Sequence, residues 1–526
     1  MARTNEVATL GGDSRAREPV RSVRPTRRWT VLAVLSLTVL IINLDGTVLN
    51  VALPSIVADL HATSSQLQWI VDAYVIVLAG LLLIAGSIGD HVGRKRVFLV
   101  GLVIFAAGSA ASAFARSPDT LVVARSCMGI GAAAVMPSTL SILTNVFVTP
   151  RDRARAIGLW SGTNGLGLAI GPVVGGWLLA HFWWGSVFLI NVPIAVVAVV
   201  AGVFLVPDSK NPAAHRPDAL GALGSLVGIA LLLWGIIEAP SKGWNATPVI
   251  GGIVAALVIV AALVAWERHT DHPLLEVSFF YSRRFSVAMV GLALTIFALS
   301  GGLFLLTQYL QFCLGYSPFQ TGLLIAPIAG VLVVVAALSA TLVRFLGTKV
   351  VVFLGMVLIT IGLALLATVT VDSTYPDVLA AFLLMGIGTG LAIAPCTESV
   401  MGSVPNELAG VGSATNSTGL QIGSALGVAV LGSLLNTRYQ GDLAARLQGL
   451  AVPAPILTAM RGSLGGALEV AHRVGGFDGA HLAHAARQAF VNGLVFAVTV
   501  GAFIAGVASL VVLALLPGRP PGRPGK

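Results

Sequence analysis

Asp45, Asp72 and Arg125 are ionisable residues that each fall inside an apolar run long enough to cross a bilayer. A charged side chain at that position costs roughly 2.5 to 3.5 kcal/mol on insertion scales, so it marks function by default. Counting from the outward ends of the three runs, at 1.5 Å per residue, puts all three groups at a depth of roughly 7 to 11 Å. Two carboxylates beside one guanidinium cannot all be satisfied as ions. The set is therefore a candidate proton site, titrating as one coupled unit. Two plainer arrangements compete with it: Asp45 snorkelling to the outer interface, and a structural ion pair with Asp72 solvated.

The elements that must hold these groups are membrane helices. Of 526 residues, 56% are hydrophobic and 10% charged, and mean hydropathy is +0.91, whereas soluble chains carry about 25% charged residues. Fourteen apolar segments meet the need for about 20 residues per crossing, the first near 30–52 and the last two near 408–436 and 488–516. The expected fold is an all-α polytopic membrane protein with 14 transmembrane helices, lying in the inner (plasma) membrane with the lipid bilayer around it. Most of the 31 Lys and Arg residues fall in alternate loops and the two tails, which puts both termini in the cytoplasm. The first apolar run is longer than a signal-peptide core and is expected to stay as an anchor. Topology also accounts for the net charge of +9; without aromatic interleaving, no nucleic-acid partner is indicated. Cys127, Cys313 and Cys396 all lie in apolar segments and form neither a metal pattern nor a disulfide framework.

The chain repeats itself. Gly93, Lys95, Val97 and Gly101 correspond to Gly347, Lys349, Val351 and Gly355 at one constant shift, and Met128 to Gly131 recurs as Met385 to Gly388 at a slightly larger one. Two six-helix halves facing each other across the midplane is a transporter arrangement. The expected divisions are a basic tail over 1–29, a first bundle over 30–206, inserted helices 7 and 8 over 207–285, a second bundle over 286–516 with a long outer loop at 437–487, and a tail over 517–526.

Further motifs sit on this frame. Gly86, Gly89, Asp90, Gly93, Arg94 and Lys95 form a tight basic turn between helices 2 and 3, in which Asp90 can face a helix N-terminus or pair with Arg94. In helix 5, Gly167, Gly171, Pro172, Gly175 and Gly176 make a small-residue face suited to close packing and bending. Gly165 and Gly167 superficially suggest a dinucleotide fingerprint, but no strand precedes them. Asn43, Gln308, Gln311, Asn416, Gln421 and Glu398 are candidates for a substrate cavity; the amides suit interhelical hydrogen bonds equally, and Glu398 suits an interfacial place. His472, His481 and His484 lie in the weakly amphipathic 437–487 segment and read as solvated rather than metal-binding. No cofactor, no phosphate-binding loop and no nucleophile–base pair is indicated, so no enzyme is expected.

These motifs resemble the major facilitator superfamily, in particular its fourteen-helix drug:proton antiporters. Gly86 to Val97 matches the loop signature, Arg125 with Gly129 the helix 4 signature, and Gly171-Pro172 with Gly175-Gly176 the antiporter signature. Leu44-Asp45 and Asn50 to Pro54 match helix 1, and Phe188 to Pro193 fits helix 6. The resemblance implies a fold of two six-helix bundles plus two inserted helices, and a monomer that exports small amphipathic drugs or antibiotics in exchange for protons. It implies that Asp45 is protonatable, that Arg125 takes part in proton transfer, that Asp90 and Arg94 stabilise one conformation through contacts between the halves, and that the Gly171-Pro172 face controls bending and leakage. The chain departs from the pattern at Trp183 to Ser186 and at Arg344, which stands where a second Asp90 would be. The latch is thus expected in the first half alone. A metabolite or lipid exporter, or a proton-coupled uptake symporter, would share the same fold.

Overall fold

The computed structural model describes residues 25–147, 149–210, 218–270, 276–405, 408–448 and 454–517. The tails expected over 1–29 and 517–526 lie largely outside them. Among the described residues there are fourteen helices long and apolar enough to span a membrane, and no strand. They are α1 (Pro25–Leu60), α2 (Ser64–Val92), α3 (Arg94–Ala113), α4 (Pro118–Val146), α5 (Pro150–His181), α6 (Ser186–Leu205), α7 (Ala219–Lys242), α8 (Thr247–His269), α9 (Arg283–Cys313), α10 (Pro318–Leu346), α11 (Thr348–Leu366), α12 (Tyr375–Met401), α13 (Ala409–Arg446) and α14 (Gly476–Leu515). Exposed apolar side chains such as Val100, Val197, Leu257 and Phe503 form the outward faces, as expected of surfaces that meet lipid rather than water.

The packing follows the repeat. In the first half α3 packs on α4, α4 on α2, and α1 on α5 and α6; in the second, α11 packs on α12, α12 on α10, and α9 on α13 and α14. The matched glycines explain why. A Cβ on Gly101 would lie 2.9 Å from the Gly131 carbonyl oxygen, and a Cβ on Gly355 would lie 2.6 Å from that of Gly388. Both helix crossings are backbone-to-backbone contacts that only glycine permits. The same two shifts relate the capping boxes that start the even helices: Thr63–Gln66 to Ser317–Gln320, and Ser117–Thr120 to Thr374–Asp377. Each satisfies helix N-terminal N–H groups that would otherwise lack partners.

The segment 437–487, expected as a loop, is mostly helical. α13 continues to Arg446, α14 begins at Gly476, and two short helices, Ala454–Gly462 and Leu464–Val474, lie between. Hydropathy detects the stretch that fits a bilayer, and these helices continue beyond it. Gly465 packs against Val57 of α1 and Phe312 of α9. His481 and His484 fall in the first turns of α14, and His472 lies in the last turn of the second short helix. The face of the molecule carrying this segment is called the long-loop face below, and the opposite one, with both described chain ends, the terminal face.

The pair α7 and α8 is attached through α7, which packs on α2 and α13. Pro240 has no N–H, so the Ile236 carbonyl one turn earlier lacks its helical donor. Ser433 Oγ of α13 donates to it at 2.8 Å, and Ser65 Oγ of α2 donates to the neighbouring Ile237 carbonyl at 3.2 Å. Ser433→Ala is expected to weaken this docking by on the order of 1 kcal/mol, read as a lower unfolding midpoint in detergent; an unchanged midpoint would count against it.

Candidate functional site

Arg125 is 1% exposed, on the face of α4 that meets α1 and α2. Its Nη1 pairs with Asp45 Oδ2 of α1 at 2.5 Å, its Nε donates to the Ile70 carbonyl of α2 at 3.1 Å, and its guanidinium lies 4.4 Å from the Tyr74 ring centroid. The other Asp45 oxygen accepts from Asn191 Nδ2 of α6 at 3.0 Å. Asn191 also reaches Ser109 Oγ of α3, which donates to the Phe188 carbonyl at 2.7 Å. Five helices thus converge on one buried ion pair. Removing either partner of such a pair strands a charge away from water.

Asp72 does not join this group, which corrects the expectation of three ionisable groups in one site. It is fully buried, yet neither of its oxygens has a hydrogen-bond partner. Height along a helix was countable from sequence; azimuth was not. Ser65, Gln68 and Asp72 fall on one side of α2, whereas Tyr74, beside Arg125, falls on the other. That side faces α7, through Ser65 and through Gly80 against Leu226, and α13, where Gln68 Nε2 donates to the Val428 and Ala429 carbonyls at 3.1 Å each.

The glycine-rich face of α5 serves two neighbours. Gly167, Gly171 and Gly175 seat α1, with their missing Cβ positions occupied by Asn43, Thr47 and Val48. Pro172 and Gly176 turn to α10 in the other half: Gly322 rests on the Pro172 carbonyl, and a Cβ on Gly176 would lie 2.6 Å from the Pro318 oxygen. Together with Gln68 on α13, and Gln311 Nε2 donating to the Val51 carbonyl at 2.9 Å, these contacts join the halves toward the long-loop face. Gln311 lies in a π-helical turn, Tyr309–Cys313, at the end of α9; such turns recur at functional sites.

On the terminal side of that closure lies a cavity lined by Thr47, Asn50 and Val51 of α1, Gly165 and Pro172 of α5, Leu299, Leu303 and Thr307 of α9, and Ile325, Ile328, Ala329, Leu332 and Val333 of α10. None of the six cavity candidates read from the sequence lines it. Asn43 Nδ2 and Gln308 Nε2 donate to carbonyls one turn back, and Gln311 crosses to α1. Asn416 is buried, Gln421 is half-buried, and Glu398 is exposed near the end of α12. Asn43 and Gln308 thus satisfy themselves on nearby backbone, whereas the buried Asn416 Oδ1 has no partner. The basic turn is likewise local. Arg94 Nε pairs with Asp90 Oδ1 at 2.7 Å and its Nη1 reaches the Ser141 carbonyl of α4 at 3.4 Å, while Lys95 Nζ donates to the Val203 carbonyl of α6. These contacts lie within the first half, not between the halves. Gly93, at φ 129°, makes the reversal, and Gly86 and Gly89 approach Pro137 and Ser138 of α4.

A profile of the Major Facilitator Superfamily matches residues 35–428, well over half of the chain. The chain belongs to the major facilitator superfamily. It is 34% identical over 504 residues to the "Multidrug efflux pump LfrA" of Mycolicibacterium smegmatis, covering 94% of this chain and 97% of that one. It is 33% identical over 494 residues to the "Tetracenomycin C resistance and export protein" of Streptomyces glaucescens, covering 93% and 91%. Among solved structures, a bacterial homolog of the human lysosomal transporter Spinster shares the fold with a TM-score of 0.63 at 17% identity, covering 95% of this chain and 100% of that one.

This member of the superfamily is thus a multi-pass membrane transporter, not an enzyme. Three parts of its buried site went unread in the sequence: Tyr74, Ser109 and the role of Asn191. Asn191 appeared only inside a matched motif. A lone amide within the apolar run from Phe188 to Leu205 was the available signal.

Proposed function

We propose that this transporter exports small amphipathic drugs or antibiotics across the cytoplasmic membrane in exchange for protons, acting as a monomer with its terminal face in the cytoplasm. One observation carries the reading. Asp45 and the cavity-lining residues Thr47, Asn50 and Val51 lie on opposite faces of α1, so a change of charge at the Asp45–Arg125 pair acts on the same helix that touches cargo. Coupling then needs only that the pair prefer different positions of α1 in the two conformations. The printed names of the relatives, a multidrug efflux pump and an antibiotic export protein, support export. The test is accumulation of a fluorescent dye by inverted membrane vesicles: uptake is expected on acidifying the lumen and should stop with a protonophore. Uptake indifferent to the gradient would overturn the coupling.

Asp72 enters this reading as a second, separate proton group. An ionised carboxylate with no donor is costly in a closed interface, so closure of the α2–α7–α13 junction and proton occupancy of Asp72 are linked. Asp72→Asn is expected to lower export severalfold while a cysteine pair at Gln68 and Ser433 still cross-links. Export at the parent rate would remove Asp72 from the mechanism.

A further inference from the structure

We propose that the cargo of this cavity is an uncharged, lipophilic molecule, selected against permanent cations and anions; this rests on the export reading above. The cavity walls are mostly aliphatic, with Leu299, Leu303, Ile325 and Ile328 contributed by α9 and α10. Its polar side chains are already engaged with the backbone behind them: Thr47 Oγ1 donates to the Leu44 carbonyl at 3.1 Å, Asn50 Nδ2 to the Gly46 carbonyl at 3.4 Å, and Thr307 Oγ1 to the Leu303 carbonyl at 3.2 Å.

Among the described lining residues there is no carboxylate, cationic side chain or aromatic ring, so there a quaternary ammonium would lose its water with neither an anion nor a π face to replace it. The carboxylate nearest in sequence, Asp45, points to the far side of α1 and is held there by Arg125 and Asn191. Cargo and proton therefore do not compete for one carboxylate. An uncharged cargo can bind whichever way Asp45 titrates, and coupling passes through α1.

The experiment uses the purified full chain in liposomes with an imposed pH gradient, and two fluorescent probes that share one polycyclic ring system, one uncharged and one bearing a quaternary ammonium. The uncharged probe is expected to be transported at least tenfold better by kcat/KM, and Thr307→Asp, which puts an anion in the cavity, should shift the ratio toward the cation by tenfold or more. Equal transport of the two probes, or preference for the cation, overturns the inference. Binding of the uncharged probe at least tenfold tighter, with no transport of either, upholds the inference and overturns the export reading. Absence of binding by both probes overturns the two together.

Discussion

Asp45→Asn is expected to cut proton-driven export to less than a tenth of the parent rate while leaving membrane insertion intact. The amide has nearly the shape of the carboxylate, so the five-helix junction keeps its packing; its oxygen can still accept from Arg125, while its NH2 replaces the oxygen that accepts from Asn191. What it cannot do is carry the negative charge that balances Arg125, which is 1% exposed. Breaking a buried pair from one side costs about 3–5 kcal/mol, enough to redistribute two conformations that differ by a few kcal/mol. Arg125→Lys should not substitute for the native residue. Lysine carries all its N–H groups on one nitrogen, whereas Arg125 reaches the Ile70 carbonyl and Asp45 with two, and lysine has no planar face to lay on Tyr74. Dye export from cells, normalised to protein in the membrane fraction, checks both variants. Full export by Asp45→Asn would mean the pair is structural.

The second large effect is expected at Gly322. A Cβ there would sit on the Pro172 carbonyl oxygen, well inside van der Waals contact, and would also meet the Val173 Cα at 3.3 Å. Both obstacles are backbone, so no rotamer change relieves them, and Gly322→Ala must push α5 and α10 apart where the halves meet. The closed long-loop face should become the disfavoured one, and export should fall to below a tenth of the parent rate. A cysteine pair at Val51 and Gln311, which straddles the same closure, should cross-link several times less in the Gly322→Ala background. Unchanged cross-linking would show that the closure does not depend on this contact.

The comparison of Asp45 with Asp72 shows what the sequence could and could not tell. Both aspartates were visible as charges inside apolar runs, and their heights followed from counting. Partnership depends on which way each side chain points around its helix and on which helix stands there, and neither is a property of one segment. Long-range order was legible where it was repeated: the glycines at 101 and 131 recur at 355 and 388 because both halves cross their helices at the same close approach. The fourteen spans were legible because bilayer thickness imposes one length on all of them. The cavity was not. Its walls are mostly aliphatic residues indistinguishable in the sequence from those facing lipid, and of the polar candidates Asn43 and Gln308 close on their own backbone while Gln311 crosses to α1. The 437–487 segment stayed hidden for the opposite reason, being helix that has left the hydrocarbon and so lost the signal used to find it.

The carbonyl released by Pro240 bears on the symmetry of the transport cycle. Ser433 belongs to one bundle and Ser65 to the other, and α7 is fastened to both. Were the bundles to swing apart at that face in the proposed exchange cycle, α7 could accompany only one of them, and a serine hydroxyl on the abandoned side would have to find another acceptor or water. The two bundles, near-duplicates in their internal packing, would then be unequal as moving bodies: one would carry a passenger. A wedge lodged between α7 and either neighbour would arrest the machine from its rim, without ever entering the path of the cargo.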